Sequence, residues 1–298
     1  MSSKKSFKIY FFLLHISALI FGGTALFSKF LKIQAVDIIL FRGLFASIIL
    51  FFVLLFTSPS KFKFKSRKDL FFVILSGLFF GGHLVTYFYA MQVSTIGIAV
   101  VSLFTFPMIT TLVEPLIHKR KPELKHILLG LLVVIGVFVI ISESEIGRNT
   151  LLGVSLGLIS SVFYSFRNLI VKYRLGSYQP IPLMFYHLLL TFLLMVPFST
   201  YNFQSIESVD YFWLLVLTVV FTIIPHLAVI ESLKKFDARS VGLILTLQVL
   251  YAIIFAYLVF DEPLKPLLII GGLLVITTVV YESISLKVKD LKLKTKKR

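Results

Sequence analysis

Ten apolar runs, most of them close to twenty residues long and separated by clusters of lysine and arginine, recur along this chain. They cover about 9–31, 36–57, 70–92, 95–117, 126–142, 150–172, 180–199, 211–233, 238–259 and 266–285. Twenty helical residues rise about 30 Å, the thickness of the hydrocarbon core of a bilayer. Inside hydrocarbon every backbone amide needs a protein partner, which leaves helices or a closed barrel. Barrel strands alternate apolar and polar residues, and a run such as LLGLLVVIGVFVII (128–141) does not. The runs therefore predict an all-α membrane protein with ten transmembrane helices. A content of 58% hydrophobic and 15% charged residues excludes a water-soluble domain.

The charges give the direction. With the N-terminus placed in the cytoplasm, the inner segments hold Lys4, Lys5 and Lys8, five cations from Lys61 to Lys68, four from Lys119 to Lys125, Lys172 and Arg174, Lys234, Lys235 and Arg239, and seven from Lys287 to Arg298. That is 24 of the 30 Lys and Arg; Lys29, Lys32, Arg148 and Lys265 fall outside, and Arg42 and Arg167 lie within spans. This asymmetry predicts that both termini are cytoplasmic. The net charge of +16 is thus a topology device that also attracts anionic lipids at the cytoplasmic face, with no nucleic-acid partner implied. The opening MSSKKSFKIYFFLLHISALIFGG has a basic lead and an apolar core but no A-x-A-like site, and reads as an uncleaved first span. There are no cysteines, so thiol chemistry and disulfides are excluded. No G-x-x-x-x-G-K-[ST] loop is present, so ATP-driven pumping would need another subunit.

The halves resemble one another at a spacing of about 141 to 145 residues. KRKPELKHILLGLLVV (119–134) aligns with FDEPLKPLLIIGGLLV (260–275), and Thr105 falls on Thr246. VDIILFR (36–42) aligns with IPLMFYH (181–187), setting Arg42 against His187, and GGHLV (81–85) with IPHLA (224–228), setting His83 against His226. Five spans per copy is an odd number, so the second copy enters the membrane inverted. Inverted repeats characterise secondary transporters, whose binding site lies near the midplane between the copies.

These features resemble the drug/metabolite transporter superfamily, EamA type. FDEPL (260–264) resembles the motif whose glutamate closes the fourth helix of a repeat, LLIIGGLLVITTVV (267–280) its last helix, and Pro107 in LFTFPMITTLVEP (103–115) the proline of the first copy's fourth helix. The chain departs from that pattern at HKRKP (118–122), where the glutamate is expected, and at Gln248, near the second proline. The resemblance implies a cytoplasmic N-terminus at 1–8, two five-helix EamA repeats at 9–142 and 150–285, and a basic cytoplasmic tail at 286–298. It also implies export and proton exchange.

Polar residues inside spans are expensive and mark function. His83 and His226 sit near mid-depth, where an imidazole can bind a carboxylate or carry a proton. Arg42 lies about six residues from the outer surface and Arg167 about five from the inner one. Each either snorkels to headgroups or holds an anion near a mouth of the path. Tyr87, Tyr89, Tyr164 and Tyr251 offer apolar walls with hydroxyl handles. Glu114 is either a proton carrier, a partner for Arg167, or an exposed helix end. Gly22-Gly23, Gly81-Gly82 and Gly271-Gly272 permit close helix contact. The expected substrate site is His83, Tyr87, Tyr164, His226, Gln248 and Tyr251, with Arg42 and Arg167 nearer the mouths.

The expectation is a secondary transporter, not an enzyme, moving a small organic metabolite such as an amino acid or organic acid outward across the cytoplasmic membrane, with no cofactor and no metal. The alternative is an intramembrane enzyme acting on a lipid, although no H-x-x-x-H or H-E-x-x-H spacing supports it. Pairing as a homodimer is left open. Because the chain lacks cysteine, single cysteines at Ser3 and Lys297 can be labelled with a membrane-impermeant maleimide. Both should react from the cytoplasmic side, and labelling from opposite sides would require an odd number of spans.

Overall fold

The computed structural model describes residues 3–57, 64–94, 96–141, 149–199, 208–260 and 266–295, and among them no strand occurs. Lys61, Lys63, Arg148, Lys265, the end of the tail beyond Thr295 and the FDEPL motif beyond Phe260 lie outside the described residues. The helices are α1 (Ser3–Thr24), α2 (Phe27–Phe30), α3 (Ala35–Thr57), α4 (Arg67–Val93), α5 (Ile96–Leu103), α6 (Phe106–Ile117), α7 (Leu124–Ile141), α8 (Thr150–Tyr173), α9 (Pro180–Met195), α10 (Ser208–Thr218), α11 (Ile224–Leu233), α12 (Ala238–Leu245), α13 (Leu247–Phe260) and α14 (Pro266–Thr295). Seven segments are long and apolar enough to cross a bilayer unaided: 7–24, α3, α4, α8, 180–198, 209–233 and 238–259. The other three crossings are the broken pair α5–α6, the 18-residue α7, and the apolar first part of α14.

Local chemistry sets the boundaries. Ser66 caps α4 by accepting the amide of Asp69 at 3.1 Å, and Asp69 adds negative charge to the first turn. Pro180 opens α9, where a missing amide proton costs nothing. The first span ends at Thr24, earlier than Leu31, and a separate turn of helix follows at α2. At the other end α14 continues to Thr295, so most of the basic tail is helix and not an irregular extension.

The fourth and ninth spans break at matching places. In the first copy Pro107 has no amide proton for the carbonyl of Leu103, and the Thr105 hydroxyl donates to Ser102 O at 2.8 Å. In the second copy Gln248 stands where the proline would be, yet the helix still breaks at Thr246, whose hydroxyl donates to Leu243 O at 2.6 Å. A threonine hydroxyl bonded back to its own helix is the feature the copies share at the break. The eighth span carries a different irregularity, a π-helical turn at Val219–Ile223. Pro225, four residues after Phe221, explains it by withholding the next backbone donor.

Packing follows the inversion. α3 crosses α9, and α7 lies along α14, so the second and fifth spans meet their own counterparts. α1 packs on α11 and α13, while α8 packs on α4 and α5, so each copy's first span lies on the third and fourth spans of the other. Glycines allow these crossings. A Cβ on Gly22 would come within 2.5 Å of Tyr251 Cβ, and one on Gly157 within 2.4 Å of Ser102 Cβ. Large apolar side chains such as Phe12, Phe56, Phe138 and Leu151 remain exposed on the outside, as lipid contact requires.

At the α3–α9 crossing a Cβ on Gly43 would lie 2.7 Å from the Phe192 backbone nitrogen, which cannot move as a side chain can. Gly43→Ala is expected to destabilise the protein by about 1–3 kcal/mol, read as a lower melting temperature in detergent. An unchanged melting temperature would contradict the crossing.

Candidate functional site

A cavity opens between the two copies at mid-depth. Its walls come from α1 (Phe21, Thr24), α3 (Arg42), α4 (His83, Leu84, Tyr87, Phe88), the α5–α6 break (Leu103, Phe104, Phe106), α8 (Tyr164), the π turn (Phe221), α11 (His226), α12 (Leu245) and α13 (Gln248). About 460 Å³ lies between the walls, but the centre of a water-sized molecule can move through only about 30 Å³ of it. That holds about two waters. The walls must separate before an amino acid or organic acid can enter.

Six of the eight residues expected at the site line this cavity: Arg42, His83, Tyr87, Tyr164, His226 and Gln248. Tyr251 is on α13, half-buried, with its Cβ against Gly22, so it packs α1 on α13 rather than forming the wall. Arg167 is wholly buried but lies beside the cavity, with its guanidinium 5.1 Å from the ring of Phe80. Neither arginine snorkels: Arg42 is 1% exposed and Arg167 0%. Depth along a helix is legible in sequence, whereas the direction a side chain faces is not, and both arginines face the bundle. Tyr89 corrects the expectation for the tyrosines, since it points out of the bundle.

Arg42 is held by a residue the sequence reading missed. Its Nε and Nη2 donate to Thr222 Oγ1 at 3.0 and 2.7 Å. Thr222 sits in the π turn and donates its own proton to Leu217 O at 2.8 Å, five residues back. Both hydroxyl lone pairs are therefore free for the guanidinium. The sequence signal was Pro225, three residues after the threonine. Arg42 also lies 4.9 Å above the ring of Phe88, a cation–π contact. Its Nη1 has no partner.

His83 is oriented by Ser160 of α8. The serine hydroxyl donates to the carbonyl of His83 at 3.0 Å, so its oxygen accepts from Nδ1–H at 2.7 Å. That pairing assigns the neutral ring a bare Nε2. The ring lies 4.5 Å from Tyr164 and stacks at 6.1 Å on Tyr87. His226 stands edge-on between Phe21 and Phe80, at 4.7 and 4.8 Å, and its Nδ1 has no partner. Thr24 Oγ1 and Tyr87 OH are likewise unpartnered. Among the described residues four polar groups of the wall thus lack partners, one of them on a cation, and none of the lining residues is Asp or Glu.

Glu114 belongs to neither of its expected roles at the surface or beside Arg167. It is buried, and its carboxylate accepts the amides of Ala238 and Arg239 at 2.7 and 2.9 Å and the Tyr173 hydroxyl at 2.7 Å. It caps α12 with a negative charge and ties α6 and α8 to it, joining the copies at the end of the bundle nearest the basic loops. Lys172 Nζ donates to Leu233 O at 2.7 Å at the same end. Glu231 pairs with Lys234 at 2.8 Å, and Glu282 accepts from Ser240. Among the described residues no group of His, Asp and Glu is placed to hold a metal ion.

The sequence profile of the EamA-like transporter family matches residues 8–142 and again residues 151–282. An uncharacterized transporter of Bacillus subtilis (strain 168), YxxF, is 21% identical over 246 residues, covering 80% of this chain and 78% of that protein. A crystal structure superposes with a TM-score of 0.76 at 15% identity, over 96% of this chain and 99% of the other, a likeness of fold alone. With the profile repeated over both five-span copies, this chain belongs to the EamA-like transporter family.

Proposed function

We propose that the protein is a secondary transporter that moves a small carboxylate-bearing metabolite, an amino acid or an organic acid, by alternating access. The observation that carries this reading is Arg42: a buried guanidinium with a free Nη1 in a cavity without a carboxylate. An arginine at the centre of a membrane helix costs about 2.5–3.5 kcal/mol on insertion scales. An incoming carboxylate supplies the missing charge and can accept from Nη1, with Tyr87 OH and Thr24 Oγ1 as further donors. Tyr164, Phe88 and Phe106 give apolar surface for the rest of the cargo. The matching breaks at Thr105 and Thr246 support the alternating step, since each lets half a span tilt while the other half stays packed.

The orientation, both termini cytoplasmic in the cytoplasmic membrane, rests on the lysine and arginine distribution. Outward transport follows the family resemblance. At the cytoplasmic face the basic loops would lie against anionic lipids.

The test uses proteoliposomes loaded with a panel of amino acids and organic acids. Arg42→Gln should lower transport of the cargo at least about tenfold, equivalent to about 1.4 kcal/mol or more. The same variant should melt no lower than the wild type, because an uncompensated buried charge has been removed. Thr222→Val should weaken cargo binding in the same direction, by about one hydrogen bond to a charged group, 1.5–3 kcal/mol. Transport unchanged in Arg42→Gln, or unchanged in both His83→Ala and His226→Ala, would remove this cavity as the site.

A further inference from the structure

Arg167 is the second buried cation of the bundle, and the cavity does not account for it. Its Nη1 donates to Asn168 Oδ1 at 2.9 Å, while Nε and Nη2 have no partner. Among the described residues no carboxylate forms an ion pair with it. Its guanidinium faces one ring, Phe80, at 5.1 Å. His187 of α9 packs on the same ring at 5.9 Å, tilted by 33°. His187 Nε2 is 2.8 Å from Ser76 Oγ, and Ser76 donates to Val73 O at 3.1 Å, so the serine accepts from Nε2–H. His187 Nδ1 is left without a partner. All of Phe80, Ser76, Arg167 and His187 are fully buried.

Phe80 also packs against the cavity wall. Its ring stands edge-on to His226 at 4.8 Å and lies 6.5 Å from His83. Phe80 therefore stands behind the wall residues His83 and His226, between the cavity of Arg42 and the polar cluster of Arg167. Ser76, which marks the level of that cluster, is seven residues before His83 on α4, a rise of about 10 Å along the span toward the basic loops.

The inverted repeat relates the two places. The spacing that sets His83 on His226 sets Thr24 on Arg167, and Arg42 on His187 differs from it by two residues. Each copy thus contributes one arginine from its first two spans, together with a smaller polar partner at the equivalent place. Inversion puts one pair on each side of the midplane.

We propose that Arg167, through its free Nε and Nη2, forms a second anion station beside His187, set off from the cavity by Phe80, to which the carboxylate of the cargo passes from Arg42. This deepens the transport reading above and rests on it. In the present conformation the face of Phe80 lies against Arg167. Rotation of the ring about its two side-chain torsions exchanges that cation–π contact for the arriving carboxylate. The cargo then crosses the midplane between two fixed guanidinium groups, never leaving its charge uncompensated.

Bromide, a small anion with a strong anomalous signal, is the probe. In bromide-soaked crystals of the full chain we expect two peaks, one at Arg42 and one at Arg167. Arg167→Gln should lose only the second, and Arg42→Gln only the first. Bromide at Arg42 with none at Arg167, even in Phe80→Ala, where the dividing ring is gone, overturns the second station and leaves the first reading intact. Bromide at neither arginine, with no transport by the wild type, overturns the first reading itself. Transport separates a station from a structural prop. Arg167→Gln should keep KM within about threefold and lose about tenfold or more in turnover, with Arg167→Lys recovering part of it. Wild-type turnover in Arg167→Gln overturns the proposal.

Discussion

A guanidinium buried in the membrane interior with no carboxylate among the described residues to answer it is the constraint around which this structure is organised. Folded proteins keep only about 5–15 kcal/mol of net stability. Two such charges, at a few kcal/mol each, are a large fraction of that margin. Arg42 persists because Thr222 accepts two of its hydrogen bonds and Phe88 offers a ring face. Arg167 persists against Asn168 and Phe80. In each case the compensation is partial, and guanidinium nitrogens remain unpaired among the described residues.

The supporting devices are backbone irregularities placed where the inverted copies meet. The π turn at Val219–Ile223 aims Thr222 at Arg42, and Pro225 explains the turn. Thr105 and Thr246 break the fourth and ninth spans at equivalent positions, one with a proline nearby and one without. The first span of each copy lies on the third and fourth spans of the other, so each copy's broken span packs against a helix that the other supplies. Glu114, capping α12 from α6 with Tyr173 of α8, joins the two copies at the end near the basic loops.

The number of crossings, their helical character and the pairing of the copies were legible because bilayer thickness and charge placement write themselves directly into residue order. Mid-depth was legible for His83 and His226 for the same reason, and both reach the cavity. Facing direction was not. Depth alone allowed Arg42 and Arg167 to be read as reaching for headgroups, but both are turned inward by how α3 and α8 pack. Tyr251 follows Gln248 by three residues and shares its side of α13, yet the glycine at position 22 draws it into a helix contact instead. Thr24 and Ser160 carried no distinguishing signal among many membrane hydroxyls, Thr222 had only the proline three residues after it, and Phe80 is one of 32 phenylalanines. Their roles come from a neighbour on another helix, which no local pattern records.

If the cavity guanidinium awaits the charge of the cargo, then cargo must shield it from chemistry. Phenylglyoxal, which condenses with arginine, can be applied to the reconstituted protein and its sites of modification located by peptide mass spectrometry. The account predicts that modification of Arg42 slows as the concentration of a transported amino acid or organic acid rises, while the exposed arginines Arg67 and Arg174 react at an unchanged rate. Modification of Arg42 that is indifferent to every acid the protein transports would contradict it.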